Sequence, residues 1–280
     1  MLPWAYDFKW EPVHLVFLSV FFTVLLTLIA LLILAVLRTV RTLRQETVEA
    51  IRWAQDFHDL PASSQACRHE FTGEVDQRSC VLGFDCRRCE GHKTFQSASS
   101  NPLDIANEDS QTTDVLGFDM PPDRLYHRGH TWVKPETDGT VTVGLDDFAS
   151  RLIGKPDRVF LPDTGSRLAV NGTAWRLRKG MAETRILSPV DGEVVAQGGD
   201  ALGWYLRVRP TEASFDSRHL LGKAEIRPWI LREVERLQGA LSRGPSGSRM
   251  ADGGMPIEDL ALAIPETIRD EVLGEMLLEP

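Results

Sequence analysis

The stretch Leu15–Leu37 constrains this chain more than any other. It holds 23 residues without a charge, interrupted by polar side chains only at Ser19, Thr23 and Thr27. At about 1.5 Å per residue, a helix over this run measures about 35 Å, enough to cross the hydrocarbon core of a bilayer. A cleavable signal peptide would have a shorter apolar core behind a basic segment and ahead of a small-x-small site. Here the leader M-L-P-W-A-Y-D-F-K-W-E-P-V-H sets Lys9 against Asp7 and Glu11, and Arg38-Thr39-Val40-Arg41 follows the run. Residues 15–37 are therefore read as a retained transmembrane helix, with 1–14 as a short N-terminal segment. Arg38, Arg41, Arg44 and Arg52 follow the span and only Lys9 precedes it. Positive charge stays on the cytoplasmic side, so the N-terminus is expected outside and the bulk of the chain inside, at a plasma or inner membrane. Trp4, Tyr6 and Trp10 suit an outer aromatic belt.

Residues 38–60 lack glycine and proline and continue as a helical stalk, which Leu60-Pro61 ends because the residue before proline disfavours helix. A Cys-rich segment, 65–95, comes next, and a polar aperiodic linker occupies 96–114. From 115 to 241 the pattern is that of a small β-rich domain. Alternation marks strands at Thr140–Val143, Ala174–Arg178 and Trp204–Arg209, and turn signals recur at Asp138-Gly139, Asn171-Gly172 and Asp191-Gly192. Ile230, Leu231, Val234, Leu237 and Leu241 then recur at helical spacing, with Pro228 placed in the first turn. A second linker covers 242–263. An acidic amphipathic helix closes the chain over 264–280, its stripe of Ile268, Val272, Leu273, Met276 and Leu277 suited to a partner or to the chain's own domain.

The net charge of −9 excludes a phosphate-backbone binder, which needs a basic face, so no nucleic-acid partner is expected. The four cysteines are spaced Cys67-x12-Cys80-x5-Cys86-x2-Cys89. A Cys-x-x-Cys step lets two thiolates reach one tetrahedral ion, and two more complete a closed site. Phe71, Val75, Val81, Leu82 and Phe84 are too few to give this segment a core, and a metal would supply the missing stability. Zinc is the first expectation and an iron–sulfur cluster the second; the spacing matches neither ferredoxins nor a standard zinc finger. Four reduced, unligated thiols, or two disulfides were the orientation reversed, are the alternatives to both.

Several separated motifs agree in order with one family. They are Tyr126-His127-Arg128-Gly129-His130-Thr131-Trp132-Val133, Asp138 to Ala149, Leu161-Pro162-Asp163-Thr164-Gly165, Ser188-Pro189-Val190-Asp191-Gly192-Glu193-Val194, and Gly203-Trp204. Together they resemble the H protein of the glycine cleavage system, over about Leu125 to Leu237. The resemblance implies a lipoyl-type barrel-sandwich hybrid: two small antiparallel sheets, a hairpin presenting a lysine that carries lipoate, and a C-terminal helix.

Two departures matter. The family lysine stands eight residues before the proline, and here that position is Met181; Lys179 lies two residues earlier. A two-residue shift keeps the face but leaves the tip, so Lys179 reads as a solvated turn lysine, with lipoate on Lys179 as the alternative. The family also has a longer loop where only Ala196 to Leu202 joins two strands here. His127 and His130 are read as structural, and Asp146-Asp147 as a helix cap rather than an acid–base pair. The fold expected is thus a mainly β, lipoyl-like domain preceded by one transmembrane helix and a Cys-rich module. The function expected is non-catalytic binding or assembly with protein partners in a membrane-associated complex. A lipoyl carrier and an electron-transfer subunit with a cluster on the cysteines are the alternatives.

Overall fold

The computed structural model describes residues 11–98, 114–212, 215–242 and 264–278, without the side chains of 41–55, 96–98 and 266. Two compact units are present, Met1–Val48 and Glu49–Pro280. The expected aromatic belt and most of both expected linkers lie outside the described residues.

In the first unit the described residues belong to helix α1 (Pro12–Asp59). Its segment Pro12–Val40 contains an 18-residue stretch with a mean hydropathy of 3.1 and is long and apolar enough to cross a membrane. The polar interruptions do not spoil it. Ser19 Oγ donates to the Val16 carbonyl (2.8 Å), Thr23 Oγ1 to Ser19 (2.7 Å) and Thr27 Oγ1 to Thr23 (2.7 Å). Each hydroxyl is satisfied within the helix, which removes the cost these side chains would carry in an apolar environment.

The second unit takes the last turns of α1, the cysteine segment with helix α2 (Glu90–Ala98), and the β domain. A two-residue hairpin pairs β1 (Asp114–Val115) with β2 (Phe118–Asp119). The main sheet is built from β3 (Leu125–Tyr126), β4 (Thr131–Pro135), β5 (Val141–Leu145), β7 (Arg167–Leu168), β10 (Gly192–Gly199) and β11 (Trp204–Pro210). Its order is β3-β4-β5-β11-β10-β7, antiparallel throughout. A second sheet, β6-β8-β9, holds β6 (Arg158–Phe160), β8 (Thr173–Lys179) and β9 (Ala182–Leu187). Helix α3 (Asp147–Ile153) connects β5 to β6.

The two sheets share one apolar core, to which Val143, Val194 and Leu206 contribute from the first and Trp175, Leu177 and Ile186 from the second. This is the mainly β domain expected from the alternating strands, in the sandwich form that the resemblance implies. Trp132 sets one backbone identity: a Cβ on Gly144, its cross-strand neighbour, would lie 2.4 Å from the indole. Trp175 stacks on Tyr205 at 4.9 Å across the interior, so Tyr205 is buried although it alternates with Trp204 and Leu206.

Helix α4 (Lys223–Ser242) starts five residues before Pro228, not at it. Glu225 reaches back to the Gly222 N–H (3.0 Å), capping the helix in the manner of a capping-box glutamate. Pro228 then sits where its missing N–H would have bonded only a first-turn carbonyl, which limits its cost. Helix α5 (Glu266–Met276) docks on the chain's own domain, deciding between the two occupants open from sequence. Val272, Leu273, Met276 and Leu277 are buried in the shared core, and Arg236 of α4 donates to the Glu275 carbonyl (2.7 Å).

The cysteine segment is not a free-standing module either. Arg128, wholly buried, donates to the Ala66 carbonyl (2.9 Å) and lies over the rings of Phe71 and Phe84. Arg68 pairs with Glu225, Arg87 with Asp191, and Asn171 Nδ2 donates to the Gly83 carbonyl (2.7 Å). Phe84 joins Phe57, Leu60, Leu187 and Leu278 in a small apolar cluster.

Candidate functional site

The β8–β9 hairpin carries the site that the family resemblance singles out. Lys179 pairs with Ala182, leaving Gly180 and Met181 as a two-residue turn. Gly180 has φ +61° and Met181 is not left-handed, the pattern of a type II′ hairpin turn with glycine first. The Gly180 N–H donates to Asp157 Oδ2 (2.7 Å), which fixes the turn against the segment before β6. At the tip Met181 is 93% exposed. Lys179 is half-buried at the strand end, and its Nζ donates to the Lys155 carbonyl (2.8 Å). Arg176 and Arg178, on the outer face of β8, both meet Glu183 across the hairpin (2.8 and 2.7 Å). The flanking cations are thus engaged along the hairpin, and the tip presents a thioether. The β10–β11 connection is a single 3-10 turn, Asp200–Leu202.

The four cysteines come together. Cys67, Cys80, Cys86 and Cys89 line one pocket, along with Arg68, His69, Phe84 and Arg128. All four are unpaired thiols. As they stand, no three His, Cys, Asp or Glu side chains among the described residues form a metal-binding group. His69 Nδ1 lies 3.4 Å from Cys67 Sγ, and His69 Nε2 lies 3.0 Å from His92 Nδ1. Burial pushes the Cys86 thiol up to about 11, which rules it out as a thiolate nucleophile in this form.

The two histidines of the Tyr126 motif have separate structural tasks. His127 is buried, accepts the Gly129 N–H on Nδ1 (3.1 Å) and meets Asn171 Oδ1 through Nε2 (2.9 Å). Burial, reinforced by His219, lowers its pKa to about 3, so the ring is neutral with its proton on Nε2. His130 lies stacked against Phe148 (4.6 Å) and Trp229 (5.0 Å). Its Nδ1 donates to Asp146 Oδ2 (2.8 Å) and its Nε2 faces Glu233 at 3.8 Å. Burial opposes the charge, but Asp146 and then Glu233 outweigh it and raise the pKa to about 9. Asp146 also caps α3, accepting the Ala149 N–H at 2.8 Å. It is a cap and an ion-pair partner, and neither it nor His130, both buried, lines any of three pockets formed by the described residues.

Arg128, Arg68, Arg87 and Asn171, which bind the cysteine segment to the domain, were not singled out by the sequence reading. The one available signal was an arginine between two histidines and a glycine in Tyr126-His127-Arg128-Gly129-His130, a setting with few local partners for a cation.

Two small antiparallel sheets around one core, a tight hairpin at one end and a helix after the last strand define a lipoyl-type carrier fold. The family description "Glycine cleavage H-protein" matches residues 124–203. Glycine cleavage system H protein 2 of Pseudomonas syringae pv. tomato is 34% identical over 118 residues, which cover 38% of this chain and 91% of that protein. The H protein of Neisseria meningitidis serogroup B is 31% identical over 116 residues, covering 36% and 91%. A crystal structure of the Mycobacterium marinum H protein aligns at 24% identity and TM-score 0.32, over 38% of this chain and 94% of that one. The chain belongs to the glycine cleavage H-protein family.

Proposed function

We propose that this chain is a membrane-anchored, non-catalytic docking protein that uses an H-protein fold without lipoate. The observation that carries the reading is Met181 at the hairpin tip. A thioether cannot form the amide that attaches lipoate, and Lys179 does not substitute for it. Lys179 sits one residue before the turn with its amine on the Lys155 carbonyl, so the residues present do not fit the group. The short Asp200–Leu202 connection supports the same reading, since no long loop is left beside the tip to cover an arm.

What remains is a rigid hairpin that ends in an exposed, adaptable apolar side chain, suited to contact a protein partner. The apolar helix Pro12–Val40 supports tethering, which raises the local concentration of the docking surface beside membrane-bound partners. The arginine excess after the span supports a cytoplasmic location for the domain.

A photo-crosslinking methionine analogue at Met181, activated in intact membranes, tests the reading. A discrete protein adduct, in a fraction that resists alkaline extraction, is the expected result. No adduct from the tip, or release of the chain by alkaline wash, would contradict it.

A further inference from the structure

The cysteine segment is built to bring its four thiols to the walls of one pocket. Cys67 N donates to the Arg78 carbonyl and Cys80 N to the Gln65 carbonyl, each at 2.7 Å, around an antiparallel bridge between Ala66 and Ser79. That bridge closes the loop between the first two cysteines. Each cysteine follows a bridge residue, so both side chains leave on the same side of the crossing. The other two come from a second arm. Gly83 and Phe84 take φ of +55° and +62°, turning the chain into a 3-10 turn, Cys86–Arg88. The Cys89 N–H closes on the Cys86 carbonyl (3.2 Å) to make a tight Cys-x-x-Cys loop. A left-handed phenylalanine costs on the order of 1–2 kcal/mol, so this turn is held by something beyond its own preference.

The surroundings are those of a buried anionic centre. The Phe84 N–H points at Cys80 Sγ (3.4 Å), and an imidazole nitrogen of His69 lies against Cys67 Sγ (3.4 Å). Arg68 and Arg128 line the same pocket, and both are buried. Arg128 Nε has no hydrogen-bond partner among the described residues, a cost that a neighbouring negative centre would relieve. Four thiolates around a divalent ion carry two negative charges; the Arg128 guanidinium, with its Nε–H unsatisfied, offsets part of that charge, while Arg68 is already paired with Glu225.

We propose that Cys67, Cys80, Cys86 and Cys89 bind one zinc ion as a closed four-thiolate site that pins the cysteine segment to the H-protein domain. On binding, the four thiols rotate inward from their present spacing and each gives up its proton to solvent as its sulfur coordinates the metal. No oxidation change accompanies the step. Zinc is assigned rather than an iron–sulfur cluster because a closed four-thiolate structural site needs no redox chemistry; the x12 and x5 gaps do not separate the two.

Elemental analysis of the full chain, purified in detergent with reductant and without a metal-binding tag, tests this. The expected result is about one zinc per chain. Replacement by cobalt(II) should give strong visible d–d bands of tetrahedral geometry with sulfur-to-cobalt charge transfer in the near ultraviolet. Cys80→Ser, at a half-buried position, should weaken metal retention at least ~10-fold in chelator competition. Substoichiometric zinc with four freely alkylated thiols would overturn the proposal. So would iron with acid-labile sulfide, disulfides revealed by intact mass, or unchanged metal retention in Cys80→Ser. The stoichiometry of the unmutated chain decides the matter if that variant fails to fold.

Discussion

The β domain and the cysteine segment lie in the same compact unit and are held together by different means. The β domain is organised around an apolar interior, with Trp175, Phe148, Leu152, Leu206 and Trp229 all essentially inaccessible. Each such side chain contributes about 1.5–3 kcal/mol from burial, so no single contact decides the fold. The cysteine segment has little of this. Phe84 is buried, but Val81 is 77% exposed, and the segment is attached by Arg68, Arg87, Arg128 and the Asn171 amide. Apolar cores tolerate loss gradually, whereas buried guanidinium anchors fail one by one and leave unpaired charge behind. The lesson is that the segment is a dependent attachment, specified by the domain it rests on.

The largest effect should come from breaking the domain's own buried ion network. Glu233→Ala strips the carboxylate from Arg236 and from the facing His130, and should cost about 3–5 kcal/mol in urea unfolding of the full chain in detergent. Arg128→Ala should cost less, about 1.5–3 kcal/mol, and act locally. Limited proteolysis of that variant should cut between residues 61 and 95 while the β domain stays resistant; equal sensitivity throughout would erase the distinction between the two regions.

The two histidines sharpen the comparison within the domain through pH. His130 is raised from 6.5 to about 9, so its pairing stabilises fully below pH 6.5 and is lost as pH rises through 9. His127 is lowered to about 3, so the unfolded chain takes up a proton that the folded one refuses, and stability falls as pH drops below 6.5. Glu233, opposed by burial but held down to about 2 by Arg236 and His130, adds a further loss only toward strong acid. Stability should therefore peak near neutrality. Asp146→Asn should lower the maximum and flatten the alkaline limb, which urea midpoints measured across that range would show. The smallest effect belongs to the tip: Met181→Lys should change stability by less than about 0.5 kcal/mol, because the side chain touches little.

Much of the fold was legible in the sequence because its signals are local. Alternation in Trp204–Arg209, the Asp138-Gly139 turn and the stripe on α5 each report local structure within a few residues, whereas Gly192, expected in a turn, opens strand β10. The register of Met181 could likewise be counted from Pro189, and the hairpin places it at the turn. The anchors were not legible. Arg128 meets residues more than sixty positions away, and Asn171 meets Gly83 across 88 positions. Nothing in local periodicity distinguishes such an arginine from a solvated one. The start of α4 was misplaced for a related reason: Pro228 is the visible punctuation, while the capping contact from Glu225 to Gly222 shows only in three dimensions.

The central claim is that this H-protein fold carries no arm, and intact mass tests it most directly. The full chain should be expressed with lipoate and an active lipoate-attachment system, alongside Met181→Lys. The unmutated chain should keep the mass of its sequence, while the variant, with an amine at the tip, should gain one lipoyl group. A lipoyl addition on the unmutated chain, lost in Lys179→Ala, would contradict the claim and make the protein a carrier.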